Sequence, residues 1–286
     1  MNVLRIAKTC TAALMAVAVC AGLGAAQSLS DEGTWTIQTG RSSDTVNLEL
    51  HIDADGDHSS WGSDEPYAAL RQISRAELFS SGADVSFDVV RDAGTLHCRG
   101  HVAHGSGGGT FQYAANTGFA RELAARGIGA PSADEQRRMT YSNVSLAFVD
   151  TLRRFHYPTP SAEDLIRMAD HGVTAEYVAA LEADGYHVES NSALVRMVDH
   201  GVTPTFIQSM RELGYHPSAE DLVRMVDHGV GTGIAQAMLA NGYHPTVNQL
   251  IQLVDHGVTA QFVQRVRAHG YKPDIEQLIR LQDAGI

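Results

Sequence analysis

The 286-residue chain is poor in cysteine, in long apolar runs and in positive charge. Of its three cysteines, Cys10 and Cys20 fall in an apolar N-terminal stretch that reads as a leader, leaving Cys98 alone. A single thiol cannot close an internal disulfide, so a disulfide scaffold is excluded whatever the compartment. Beyond the leader no segment approaches the ~20 consecutive apolar residues of a membrane span. Lys and Arg total 21 against 33 Asp and Glu, a net charge of −12. That balance argues against attachment to nucleic acid or to an anionic membrane surface through charge. HExxH, GxSxG and Walker loops are also missing. No catalytic residue is assigned, no cofactor is implied, and a non-enzymatic protein is expected.

Residues 1–26 carry Arg5 and Lys8 ahead of "CTAALMAVAVCAGLG", and "GAAQ" places Gly24 and Ala26 at the −3 and −1 positions of a signal-peptidase site. Cleavage after Ala26 is expected, giving an exported protein, periplasmic or secreted. Losing Arg5 and Lys8 takes the charge from −12 to −14. The 14 histidines oppose this only below about pH 6.

The C-terminal half is repetitive. "DHG" or "DAG" stretches end at Gly172, Gly201, Gly229, Gly257 and Gly285, with steps of 29, 28, 28 and 28 residues. A second marker interleaves at Gly185-Tyr186, Gly214-Tyr215, Gly242-Tyr243 and Gly270-Tyr271. Such self-similarity indicates a repeat array. Each unit holds two helix signals, the first opening at Ser161, Ser190, Ser218, Thr246 or Asp274. The second opens at Thr174, Thr203, Gly231 or Thr259. Helices of about ten residues are too short to persist alone, so stacking must hold them.

If the nine glycines are left-handed C′ residues, a Schellman end requires an apolar residue just after each and another four positions before. Val173, Val202, Val230, Val258 and Ile286 follow the first set, matched by Met168, Met197, Met225, Leu253 and Leu281. The four tyrosines follow the second set, matched by Leu181, Met210, Met238 and Val266. All nine sites satisfy the rule. In the unit "VGTGIAQAML", Gly231 replaces the threonine cap and Gly233 falls inside the helix, which marks the unit expected to be most mobile.

Upstream, "TWTIQT", "VNLELHI", "DVSFDVV", "TLHCRGHV" and "GGGTFQY" alternate like strands, and "RDAG" (Arg91–Gly94) reads as a hairpin turn. Helices are expected from Asn116 to Arg126, from Ser132, and from Asn143 to about Phe155. The fold class is therefore α+β. A small antiparallel β-rich domain with trailing helices occupies 27–157, and a short α-solenoid of ~28-residue helical hairpins occupies 158–286.

Three stretches of the β-rich part invite a chemical reading. His97, Cys98, His101 and His104 look like metal ligands, but on a strand they divide between two faces, and His97 stands about 13 Å from His101. Asp53, Asp55 and Asp57 open "DADGDHSSWGSD", a poor calcium loop with its glycine at the fourth position, expected instead to be an acidic surface loop. "SGGGT" (Ser106–Thr110) lacks a phosphate-loop lysine and is expected to be a turn. In the array, His171, His200, His228 and His256 each follow an aspartate. Adjacent helical residues diverge by about 100°, and equivalent residues of stacked copies point the same way without converging. A histidine in a last turn also suits the negative end of the helix dipole. Structural use is favoured over metal binding; the preceding aspartate is unexplained unless it bonds a neighbouring helix start. His187, His216 and His244 line the "GYH" turns in the same regular way.

Taken together, the "DHGV…GY" repeats resemble those of a group of exported bacterial proteins, and are similar to repeats appended to BlaR1-type membrane metallopeptidases. "RDAGTLHCRGHVAHGSGGGTFQY" resembles the β-segment that often precedes them. The peptidase motif and membrane helices of that group are absent from this sequence, so the resemblance implies an accessory, binding or sensing role without that activity. The expectation is a protein or peptide partner bound by the array, through a groove or an exposed apolar, tyrosine-rich patch. The alternative is a metal- or pH-responsive envelope protein using the repeated histidines, which requires at least three ligand atoms to converge.

Overall fold

The computed structural model describes residues 31–40, 42, 44–54 and 57–285. The expected cleavage site after Ala26, the residue Asp55, the side chain of Asp57 and the contact expected of Ile286 lie outside the described residues. The architecture is α+β: a curled seven-stranded antiparallel sheet followed by helices in a repeated arrangement. No helix among the described residues is long and apolar enough to cross a membrane.

The strands are β1 (Glu32–Thr39), β2 (Thr45–Ala54), β3 (Asp57–Pro66), β4 (Leu70–Arg71), β5 (Ala83–Val90), β6 (Gly94–Ala103) and β7 (Ser106–Ala115), in the order β3-β2-β1-β7-β6-β5-β4. A short helix, α1 (Arg75–Leu78), precedes β5. Alternation puts Trp35, Ile37, Leu48, Leu50, Phe87, Val89, Leu96, Cys98 and Phe111 on one buried face. The register pairs them directly: Trp35 with Leu50, Ile37 with Leu48, and Cys98 with both Phe87 and Phe111.

Two expectations fail here. The stretch from Asp57 to Asp64 is strand and not the expected acidic surface loop: β2 and β3 pair from Thr45 opposite Pro66 to Ala54 opposite Asp57, and His58 bonds Asp53. In the sequence, Asp55-Gly56 between these segments is an Asp-Gly hairpin signal. Ser106–Thr110 is also no turn but the first half of β7. Its glycines are required by close approach. Gly100 opposes Gly109, and a Cβ on Gly100 would stand 2.2 Å from the Gly108 carbonyl oxygen and 2.8 Å from the Trp35 indole. The indole N–H donates to the carbonyls of Thr110 and Arg99, at 3.0 and 3.3 Å.

Twelve helices follow. They are α2 (Phe119–Ala125), α3 (Ala133–Tyr141), α4 (Leu146–Arg154), α5 (Ala162–Asp170), α6 (Ala175–Ala183), α7 (Asn191–Asp199), α8 (Pro204–Glu212), α9 (Ala219–Asp227), α10 (Thr232–Ala240), α11 (Val247–Asp255), α12 (Ala260–Ala268) and α13 (Ile275–Asp283). The odd-numbered helices from α3 to α13 pack successively in one layer; α4, α6, α8, α10 and α12 form the other.

The predicted helix ends are present. At Gly229, φ is +69°, the Val230 amide donates to the Met225 carbonyl at 2.8 Å, and the Gly229 amide donates to Val226 at 2.9 Å. Gly172, Gly185, Gly201, Gly214, Gly242, Gly257 and Gly270 repeat this geometry, and Gly285 takes the same φ of +69°.

The repeating geometry begins before residue 158. α3 ends with Asn143 at φ +56° and Val144 bonded to Met139; α4 ends with His156 at φ +61° and Tyr157 bonded to Leu152. Both stand 29 residues ahead of Gly172 and Gly185. Asn tolerates the left-handed region, so the unit survives without the glycine that advertises the others.

The turn Arg91–Gly94 joins sheet to array. The buried Arg91 guanidinium donates to the Thr140 and Tyr141 carbonyls at the negative end of α3, both at 2.7 Å, to Ser63 Oγ at 2.8 Å, and to Glu65. Asp92 accepts from the Leu146 amide at the start of α4, and Gln136 of α3 donates to the Ala93 carbonyl.

Candidate functional site

The four Asp-His pairs resolve into rungs between units. His171 Nδ1 bonds Asp199 at 2.6 Å, His200 bonds Asp227 at 2.6 Å, His228 bonds Asp255 at 2.7 Å, and His256 bonds Asp283 at 2.9 Å. One unit earlier, Ser142 stands at the histidine position and donates to Asp170. Each histidine is the C-cap of its helix and each aspartate the last helical residue of the next unit's first helix. The aspartate therefore bonds a neighbouring helix end, not a helix start as anticipated. Donation to a carboxylate requires the proton on Nδ1. With 38–46 % of each histidine side chain exposed, a rung contributes on the order of 0–1 kcal/mol. The ladder sets register more than it supplies stability.

The other metal candidates disperse in the same manner. His97 pairs with Asp88 at 2.7 Å and His101 with Asp84 at 2.9 Å, both on the open face of the sheet. Cys98 is fully buried on the opposite face. Burial, reinforced by the Asp88 charge, pushes its thiol up to about 12, so it stays protonated and is no nucleophile. His104 turns away at φ +52° in the β6–β7 connection. Among the described residues no three His, Cys, Asp or Glu groups gather to hold an ion.

The tyrosine expectation also needs correction. Tyr186 and Tyr243 donate to the carbonyls of Pro217 and Pro273 in the following unit, at 3.2 and 2.8 Å, and Tyr177 donates to Val202 at 2.9 Å. These side chains cement units together. Among the described tyrosines of the array only Tyr271, 67 % exposed, stands well out into solvent, so no tyrosine-rich patch runs along the array.

A groove does exist, and it marks an irregularity in a second ladder. Arg138 bonds Glu163 at 2.7 Å, Arg196 bonds Glu220 at 3.0 Å, and Arg224 bonds Asn248 at 2.9 Å, each reaching the first turn of the next unit. In α7 that position is Ser192 and the next is Ala193, where other units carry Glu163-Asp164, Glu220-Asp221, Asn248-Gln249 and Glu276-Gln277. Two consequences follow. Among the described residues Arg167 finds a carboxylate only within its own helix, Asp164 at 3.8 Å. Ser190 caps α7 through the Ala193 amide without the reciprocal side-chain bond that Asp164, Gln249 and Gln277 return to their caps.

A groove of about 670 Å³ lies between the first turns of α7 and α9, and Ser192 and Ala193 are among the residues lining it. Ala193, Met197 and Val223 form its floor, Tyr186 and Pro217 a wall, and Glu189, Arg196 and Glu220 its rim. An apolar floor with a charged rim suits an extended peptide with one apolar anchor. The larger depression, about 960 Å³ on the open face of the sheet, is lined by Arg99, His97, Asp88, His51 and Asp53 among others and has no comparable apolar floor. Periodicity directed attention to what recurs, whereas the groove lies where the repeat departs from itself; Ser192-Ala193 was the available signal. Comparison with protein-family models, with curated proteins and with solved structures finds no significant match to this chain.

Proposed function

We propose that the chain is an exported, non-enzymatic binding protein whose helical array takes up a peptide segment of a protein partner in the groove between α7 and α9. The groove carries this reading because its lining includes Ser192 and Ala193, short side chains at positions where the other units carry longer polar ones. Array rigidity serves it: rungs, tyrosine bonds and Schellman ends hold α7 and α9 in place, so a bound segment meets a preformed surface. The sheet, bonded to α3 and α4 through Arg91 and Asp92, extends the same rigid frame.

Selection of peptides from a random library by the chain lacking residues 1–26, with counter-selection against Ser192→Glu/Ala193→Asp, tests the proposal. The substitutions restore the pattern of the other units, giving Arg167 a partner and Ser190 a capping box. Enrichment of apolar-anchored peptides by the native chain and their loss from the filled variant are expected. Equal enrichment by both proteins sinks the proposal.

A further inference from the structure

The two edges of the sheet are treated differently. β4 is two residues long, which leaves little for another chain to pair with, whereas β3 runs ten residues and, among the described residues, is paired only on its β2 side. Native sheets usually blunt a long edge with charged side chains, lysine above all, with proline, a bulge or a cover, and β3 carries its own such residues, Asp57, Asp64, Glu65 and Pro66, towards its two ends. β3 has no lysine, and its central Ser59-Ser60-Trp61-Gly62-Ser63 is uncharged.

Two cavities border it. One, of about 350 Å³, is lined by all five residues from Ser59 to Ser63, facing Tyr141, Ser142 and Asp170 at the ends of α3 and α5. Successive side chains of a strand point to opposite faces, so a cavity lined by five consecutive residues runs along the strand's edge. The second, of about 600 Å³, shares Gly62, Ser63, Ser142 and Ala169 with the first and continues past Asp64 to Glu176. Together they form one crease between β3 and the helix ends. Asp64, Asp170 and Glu176 line it, and none of its lining residues is Lys, Arg or His.

We propose that this crease is a second docking site, taking an extended basic segment of a partner protein that adds to the sheet beside β3. Backbone pairing along Ser59–Ser63 supplies the affinity common to strand addition. The three carboxylates select lysine or arginine side chains on the added strand. The site is independent of the α7–α9 groove and does not rest on it.

The test uses the chain lacking residues 1–26 and an acetylated, amidated heptapeptide of alternating lysine and valine carrying a fluorophore. Three comparisons accompany it: the same peptide N-methylated at every amide, a glutamate-for-lysine version, and the Asp64→Asn/Glu176→Gln variant of the protein. Saturable binding of the parent is expected, with N-methylation and the double substitution each weakening it about tenfold, equivalent to about 1.4 kcal/mol. The glutamate peptide should not bind, and amide exchange should slow at Ser59–Ser63. No saturable binding of the parent peptide overturns the proposal. So does equal binding of the N-methylated peptide, which would show attraction by charge alone, or protection confined to other strands.

Discussion

Replacing Gly229 by alanine isolates the conformational term at a helix end. The residue sits at φ +69°, and a Cβ built there meets nothing within 4 Å. No steric clash or lost contact contributes, so the whole penalty is that of holding an L-residue in the left-handed region, about 1–2 kcal/mol. Gly229→Asn should be milder, since asparagine tolerates the left-handed region best after glycine and Asn143 occupies the equivalent site at φ +56°. His228→Ala removes one rung whose two side chains are 44 and 43 % exposed, about 0–1 kcal/mol after solvent screening. Urea unfolding followed by far-UV circular dichroism should place the midpoints in the order native, His228→Ala and Gly229→Asn close together, then Gly229→Ala, with unchanged slopes. A His228→Ala penalty exceeding that of Gly229→Ala would refute the assignment of cohesion to the helix end.

Three further outcomes follow from the same geometry. Gly233→Ala should raise stability by about 1 kcal/mol, because the position is helical and a Cβ meets nothing within 4 Å; thermal melting that drops instead would show a hidden constraint in α10. Cys98 should resist thiol reagents in the folded chain and react only on unfolding, in a timed labelling experiment with and without urea. Asp164 is held below the ordinary carboxylate range by the Ser161 hydroxyl and amide, and Asp150 by Arg126. With folded values depressed, their stabilisation is complete above the unfolded value near 3.9 and is lost as pH falls through the folded value. Melting temperatures should therefore decline below about pH 4, less steeply in Asp150→Asn.

What the sequence disclosed depended on whether a feature was local. Schellman ends were legible because φ, the following apolar residue and its partner lie within six positions, so Met225, Gly229 and Val230 announce themselves. Asn143 and His156 hid a further unit, because the same backbone was built without glycine; only the 29-residue spacing betrayed it. β3 was lost to a different cause. Its Asp53–Asp57 lead looks like a cation loop, and its serine-rich centre has weak strand propensity, so pairing with β2 decides its conformation. The partner of each repeated aspartate is some 27 or 28 residues away, beyond any local rule. The groove was harder still, because short side chains at Ser192 and Ala193 announce no function by themselves.

Hydrogen exchange of the chain with and without a library-selected peptide addresses the central claim most directly. Added protection is expected at the N-terminal halves of α7 and α9, around Ala193 and Val223, and none in the Ser192→Glu/Ala193→Asp variant. Protection centred on other units, or persisting unchanged in that variant, would contradict it.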